Sequence, residues 1–306
     1  MGWSIDTAFV HEFENRIHRL VAENPTAWRN AVRVKSGVRG KSYNVERLGS
    51  IELVGVAGRH ADTPLTPFTH SRRRLTLTDK NAAELIDDLD EVKMLISPES
   101  DYAQRFAEAF NRHVADVVIA ALNGNSTAVD NADALTSVAL SQAAVPVGAR
   151  ANAGIGANVI ASGSTGMTMA KLRQINRVMD LNFVPRDGQR RIAVSPWAIE
   201  DLLADSTVTS SDFSSLQALQ YGTFPENATW MGFSWIISNQ LPLSSTTRTA
   251  LAWHKEAAVL GIARDFQTEI DKRPDKNNST QVLVKTSIGC VRVEEELVVS
   301  CDYVEA

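Results

Sequence analysis

The sequence predicts an α+β fold built from pieces strung in series, and three observations carry that expectation. Residues 31–78 alternate in hydropathy between glycines and prolines, residues 98–122 hold one unbroken helical stripe, and residues 167–250 mix short strand and helix patterns. With 306 residues, 44% of them hydrophobic, the chain has enough apolar surface for one large or two modest domains. The expected boundaries are 1–30 for a short arm, 31–78 for an extended excursion, 79–166 for a unit with the long helix and a loop insertion, 167–250 for a compact α/β unit, and 251–306 for returning strands.

Each piece has a local reason. Phe9, Phe13, Ile17 and Leu20 recur at helical spacing, giving an amphipathic helix that either reaches out as an arm or packs on its own domain; Asn24-Pro25 ends it. In the excursion Val32 and Val34, Ile51 and Leu53, and Leu75 and Leu77 alternate, while Gly37, Gly40, Gly49, Gly55, Gly58, Pro64 and Pro67 exclude a long helix. Few large apolar side chains lie between Arg39 and Arg74. Such a segment cannot offset about 1–2 kcal/mol of backbone entropy per ordered residue by itself. It is expected to be either disordered or covered by another subunit.

Ser97-Pro98-Glu99 has the form of a helix N-cap, a proline at the first helical position and an acid in the first turn. Tyr102, Phe106, Phe110, Val114 and Val117 or Val118 then follow at steps of three or four, and Asn123-Gly124 supplies a stop. At the helical rise, about 25 residues make a rod of roughly 37 Å. Between Asn123 and Gly166 the small polar composition predicts a surface loop, with a short strand near 158–161. Met169, Leu172, Ile175 and Met179 mark a helix, Arg190 to Val194 a strand, and Ser195-Pro196 caps a helix over 197–203. Gly232 to Ser238 reads as a strand apolar on both faces, and strand patterns at 251–262, 281–286 and 290–300 close the chain beside the long helix.

Several chemistries are excluded by spacing. A net charge of −5 and a pI near 5.7 give no basic excess for tight binding to phosphate backbones. Gly37-Val38-Arg39-Gly40-Lys41-Ser42 ends like a phosphate-binding loop, but Lys35 stands where its first glycine belongs and no helix start follows. Gly154-Ile155-Gly156 has Val159 at the third glycine position of a dinucleotide fingerprint and no βαβ order around it. His11, His18, His60, His70, His113 and His254 are scattered, without metal-ligand spacing. Asp87, Asp88, Asp90 and Glu91 crowd together as either a solvated acidic turn or a seat for a hard cation, though the spacing of a calcium loop is absent. Ser195 lacks the surroundings of a nucleophile. Cys290 and Cys301, in strand-like sequence without a secretory leader, read as buried thiols, with a disulfide between them as the alternative. The start MGWSIDTAFVHEFENRIHRL has neither a basic nor an apolar leader region, and no stretch of about 18 apolar residues occurs, so a soluble protein of the cytoplasm with no membrane partner is expected. No catalytic, cofactor or metal residue is assigned.

The order of pieces resembles the major capsid proteins of tailed bacteriophages with the Hong Kong ninety-seven type fold. The stretches that carry the resemblance are SPESDYAQRFAEAFNRHVADVVIAALNG as the spine helix, LTLTDKNAAELIDDLDEVK ahead of it, and RRIAVSPWAIEDLLAD with MGFSWIISNQLP in the later part. On this resemblance, 1–30 is the N-terminal arm, 31–78 the E-loop, 79–166 the peripheral domain with spine helix 98–122, and 167–250 the axial domain, with 251–306 returning to both.

The resemblance implies a non-enzymatic subunit of pentamers and hexamers in an icosahedral head that encloses double-stranded DNA. It also implies a portal protein and a decoration protein as further partners, and a location in the virion after synthesis in a host bacterial cytoplasm. Because the arm before the E-loop spans only about thirty residues, a separate scaffolding protein is expected; packaged DNA is expected to touch the shell only non-specifically. Arg39, Lys41, Arg47, Arg72, Arg73 and Arg74 are expected to face an acidic patch such as Asp87, Asp88, Asp90 and Glu91 on a neighbouring copy, or else to form a solvated basic strand edge. An encapsulin-like nanocompartment shell shares the same pieces, and a nucleotide-binding enzyme built on the degenerate loop at Gly37 to Ser42 is the alternative from another class.

Overall fold

The structure, a computed structural model, describes residues 27–49, 51, 53–55, 58–60, 62–63, 65–86, 99–130, 134–140, 158–204 and 229–305. The expected arm helix, the acidic run at 87–91 and the Ser97-Pro98 cap lie outside these residues. In chain order the elements begin with α1 (Ala27–Asn30), β1 (Arg33–Ser36), β2 (Ser42–Leu48), β3 (His70–Thr76), β4 (Thr78–Ile86) and α2 (Glu99–Asn123). There follow β5 (Ser126–Val129), β6 (Leu135–Val138), β7 (Val159–Ile160), α3 (Met169–Leu181), β8 (Arg190–Val194), α4 (Pro196–Ala204) and β9 (Thr229–Trp230). The chain closes with β10 (Phe233–Ile237), β11 (Leu243–Ser244), β12 (Thr247–His254), β13 (Ala258–Arg273), β14 (Ser279–Arg292) and β15 (Val298–Val304).

Among the described residues the strands form three sheets, in the orders β1-β13-β14-β4, β2-β3-β5-β6 and β7-β15-β12-β8-β10-β9, with β11 on the side of β12. The last of these is covered on both faces, and its strands show why. Ile192, Val194, Phe233, Trp235, Ala250 and Ala252 turn to one face and pack with Leu172, Ile175 and Met179 of α3 and Ala198 and Leu202 of α4. Ala193, Ile236, Leu251, Trp253 and Val298, out of step with them, turn to the other face and meet Trp28 of α1 and Phe110, Val114, Val118 and Leu122 of α2. Pleating sends successive side chains to opposite faces, so a strand buried twice carries apolar side chains on both, as 233–237 does with Phe233 and Trp235 on one face and Ile236 beside Ser234 on the other.

The helix stripe is equally direct. Phe110, Val114, Val118 and Leu122 step by four along α2, and Ala115 and Ile119 widen the stripe to fit both the sheet and β14. Gly124 ends it: its amide donates to the Ala120 carbonyl at 2.8 Å, and a Cβ there would stand 2.5 Å from that oxygen. Thr168 caps α3 by accepting from the Lys171 amide. Ser195 accepts from the Ala198 amide at 3.4 Å, as a cap should, and its hydroxyl also takes the Tyr303 hydrogen bond at 2.8 Å. Trp28 and Trp253 stack with ring centroids 5.5 Å apart, and the Trp253 indole donates to the Ala31 carbonyl at 2.9 Å.

Two expectations from the sequence are corrected. The stretch 123–166, expected to be a loop with one short strand, also holds the hairpin β5–β6, and β5 pairs with β3. The separate closing strands are longer than expected: β13 and β14 form one hairpin from Ala258↔Arg292 to Arg273↔Ser279, and two register shifts between Ile262 and Gln267 break the alternation that would have revealed its length. At its tip Asn277 and Asn278 both take left-handed backbone, which asparagine tolerates better than most residues.

Cys290 is half-buried and Cys301 buried, and both are free thiols. Burial pushes Cys290 up to about 12; it also pushes Cys301 up to about 11, against the opposing pull of Lys171. Since the thiolate is the reactive form, the native chain at pH 8 should resist an aromatic disulfide reagent, while the unfolded chain titrates two thiols promptly.

Candidate assembly surface

The excursion begins as a regular hairpin. β2 and β3 pair from Ser42↔Thr76 to Leu48↔His70, and the Gly49 amide donates to the Thr69 carbonyl at 2.7 Å beyond the last pair. Its base is seated on its own chain: Val45 and Leu75 are buried against Val259, Val291 and Val293. The seat is made by two glycines that face each other across β13 and β14, Gly261 and Gly289. A Cβ on Gly261 would stand 2.9 Å from a Leu75 methyl, and one on Gly289 only 2.2 Å from the Thr76 carbonyl oxygen. The second contact is with backbone and cannot yield. Gly289→Ala should therefore lower unfolding free energy by about 2–3 kcal/mol, read from a denaturant midpoint.

A buried charge cluster holds the same base from the other side. Glu295 is 2% exposed and lies in the connection 293–297 between β14 and β15. Arg73 grips it with two hydrogen bonds, Nε to Oε1 at 3.3 Å and Nη2 to Oε2 at 3.0 Å. Arg47 reaches Glu295 at 3.4 Å and gives both Glu296 oxygens hydrogen bonds of 2.9 Å. Ser126 at the start of β5 donates to Glu295 Oε1 at 2.9 Å. Arg292, fully buried, comes within 3.8 Å of Glu295 and spends its other nitrogens on the carbonyls of Leu122 at 2.8 Å, Gly124 at 2.6 Å and Val138 at 3.0 Å. The connection's own backbone is held too: Asn158 donates to the Glu295 carbonyl at 2.6 Å, and Asn182 to the Glu296 carbonyl at 3.1 Å. The connection 293–297, with Arg292 just before it, thus joins the three described sheets and the C-terminus of α2.

Burial sets the local ionisation. It is the largest influence on Glu294 and raises its pKa, with Arg47 pulling the other way. It lowers the pKa of Arg292, and it also opposes Arg47, where the Glu296, Glu295 and Glu294 charges outweigh it. A carboxylate whose folded pKa lies above its unfolded value favours the fold below the unfolded pKa and loses that contribution as pH rises through the folded one. Glu294→Gln, neutral at every pH, should therefore be more stable than the wild type at pH 7, and the difference should close as pH falls below about 4. Denaturation curves at the two pH values check this.

The basic residues expected at an interface divide. Arg39 and Lys41 are exposed; Arg72 is exposed with Nε 3.5 Å from Glu46; half-buried Arg74 donates to Asn44 at 3.2 Å. For Arg47 and Arg73 the expectation of a neighbouring partner is corrected, because their charge is taken up by Glu295 and Glu296 of the same chain. Asp87, Asp88, Asp90 and Glu91 lie outside the described residues. The idea that the whole excursion lacks support in its own chain is corrected likewise: the base has a seat, whereas among the described residues of the tip the large apolar side chains are exposed. Leu53 and Leu65 are 97% and 95% exposed, and Leu48, Ile51, Val54 and Phe68 are exposed beside them. The run Glu294-Glu295-Glu296, inside a stretch otherwise readable as strand, was the signal in the sequence for the cluster; Gly261 and Gly289 gave none.

The phosphate-loop alternative does not survive the geometry. Gly37 and Gly40 take positive φ, as a turn requires, but Ser42 opens strand β2, so no helix N-terminus faces the loop. Among the described residues no group of three or more His, Cys, Asp or Glu side chains could hold a metal ion, and no helix is long and apolar enough to cross a membrane.

Comparison with known proteins agrees with this arrangement. The family model described as phage capsid protein matches residues 5–305. The capsid structure of cyanophage P-SCSP1u superposes with a TM-score of 0.74 at 15% identity, covering 100% of this chain and 96% of that one. A chain of the Mycobacterium phage Che8 structure gives 0.69 at 16% identity, with 96% of each chain covered. The acidic stable capsid structure of Helicobacter pylori bacteriophage KHP30 gives 0.71 at 10% identity, covering 98% and 97%. No curated protein sequence matches the chain.

Proposed function

Because the chain belongs to the phage capsid protein family, we propose that it is the major capsid protein of a bacteriophage head, its copies gathered into pentamers and hexamers of an icosahedral shell around double-stranded DNA. The observation that carries this reading is the contrast within the excursion: a base fixed by Val45, Leu75, Arg47 and Arg73, and a tip that presents Leu53, Leu65 and Phe68 without cover. Burying one such side chain contributes about 1.5–3 kcal/mol. A neighbouring copy is the surface that every subunit of a closed shell has available, and a contact repeated around closed symmetry makes individually modest interfaces strong in sum.

In this reading the pieces take the Hong Kong ninety-seven type roles: arm at 1–30, E-loop at 31–78, peripheral domain at 79–166 with α2 as spine, axial domain at 167–250, and returning strands at 251–306. Exposed Arg39, Lys41 and Arg72, with Arg74, face the acidic run 87–91 of the adjoining copy. A scaffolding protein guides assembly, a portal occupies one vertex, and a decoration protein binds outside. The net charge of −5 keeps packaged DNA from adhering to the wall. The subunit is made in the host bacterial cytoplasm and ends in the virion, and its work is structural, without catalysis.

Negative-stain electron microscopy of the full chain, expressed with and without a candidate scaffold, tests the proposal. Closed shells or rings of five and six are expected. A chain that stays monomeric in both conditions at high concentration would overturn it.

A further inference from the structure

Glu295 stands where the excursion, the long β13–β14 hairpin and the doubly covered sheet meet. Its carboxylate is gripped by Arg73 from β3 and touched by Arg47 from β2, both on the excursion's base. Its carbonyl accepts from Asn158, which neighbours β7 in the doubly covered sheet, and its peptide neighbour Glu296 ties Arg47 and Asn182 together. If the hairpin pivoted about its base, both arginines would leave, and Glu295 would remain buried with the Ser126 hydroxyl at 2.9 Å but, among the described residues, no cation nearer than Arg292 at 3.8 Å. An uncompensated buried carboxylate is a costly state. Intermediate angles are therefore penalised, and the hairpin is held at one setting.

We propose that Glu295 is a positioning residue for assembly: it fixes the angle at which the excursion leaves the free subunit, before any neighbour is present, so that the tip arrives already aimed. This rests on the reading of the excursion as the inter-subunit element, but its consequence is measurable in an isolated subunit. Preorganisation of this kind reduces the ordering cost at each contact.

The test uses the full chain, held dilute, with spin labels on His70→Cys at the far end of β3 and Gln174→Cys on α3, both at exposed positions. Cys290 and Cys301, shielded, should stay unlabelled, as the chain without added cysteines will show. A single narrow distance is expected for the otherwise wild-type chain. Glu295→Gln, which keeps the shape and removes the charge, should displace and broaden that distance while circular dichroism stays native; Glu295→Asp, which restores the charge, should return it towards the wild-type value. Should Glu295→Gln fail to fold, Arg47→Gln at the half-buried rim serves in its place, with the same displacement expected. A folded Glu295→Gln or Arg47→Gln chain with the wild-type distance distribution would overturn the proposal. Because the readout needs no particle, failure of the shell reading would appear separately, as wild-type chains that form no shell.

Discussion

Arg73→Leu should destabilise the subunit by about 3–5 kcal/mol, the loss expected when one partner of a buried ion pair is removed and the other is left behind. Arg73 is 6% exposed and, among the described residues, gives Glu295 its only two-point grip. Arg47 cannot replace it, since its stronger bonds go to Glu296, and Arg292 is committed to three carbonyls. The pair is not simply favourable, however. Replacing both members by apolar residues removes two desolvation penalties together with one attraction, so Arg73→Leu combined with Glu295→Leu should recover much of the loss. Denaturant midpoints of the two single variants and the double variant check this. Additive losses would mean that the two side chains act independently, against the geometry.

What could be read from the sequence and what could not follow the range of the interactions. The stripe on α2 and the helix α3 rest on contacts three and four residues apart, and the strand 233–237 announces itself by being apolar on both sides. The charge cluster joins residues 222 and 248 apart in the chain, so nothing local to Arg47 or Arg73 distinguishes them from Arg72 or Arg74, which lie on the same hairpin and face elsewhere. Alternation along β3 offered a hint, because Arg73 and Leu75 fall on one face and both are buried, but only the position of β14 and its following connection decides which face is the inner one. Gly261 and Gly289 are silent for a similar reason. A glycine in a strand is ordinarily a weakness, and these two become a seat only when β3 crosses over them. The hairpin β5–β6 was hidden by short strands of small residues, whose pairing with β3 supplies the order that their own hydropathy does not.

Removing residues 50–68 and joining Gly49 to Thr69 through an Asn-Gly turn should abolish shell formation while leaving the subunit folded. The join is geometrically short, since the Gly49 amide already meets the Thr69 carbonyl at 2.7 Å, and Asn-Gly suits a two-residue hairpin turn. Everything that anchors the base stays: the pairs from Ser42↔Thr76 to Leu48↔His70, the Leu75 seat, and both arginines on Glu295. Stability should therefore change by no more than about 0.5 kcal/mol from lost surface contacts, with the shorter loop favouring the fold slightly. Assembly should suffer far more, because Ile51, Leu53, Val54, Leu65 and Phe68 leave together, and every 1.4 kcal/mol lost at a contact is about tenfold in its equilibrium constant. Extending the deletion to Gly40 through Arg73 is a different experiment: it strips Glu295 of Arg47 and Arg73 and β5 of its pairing with β3, leaving it only β6, so the subunit itself should unfold more readily. The two deletions separate a tip that serves the neighbour from a base that serves its own chain. Shells of wild-type form from the shorter deletion would sink the role assigned to the tip, whatever the fate of the longer one.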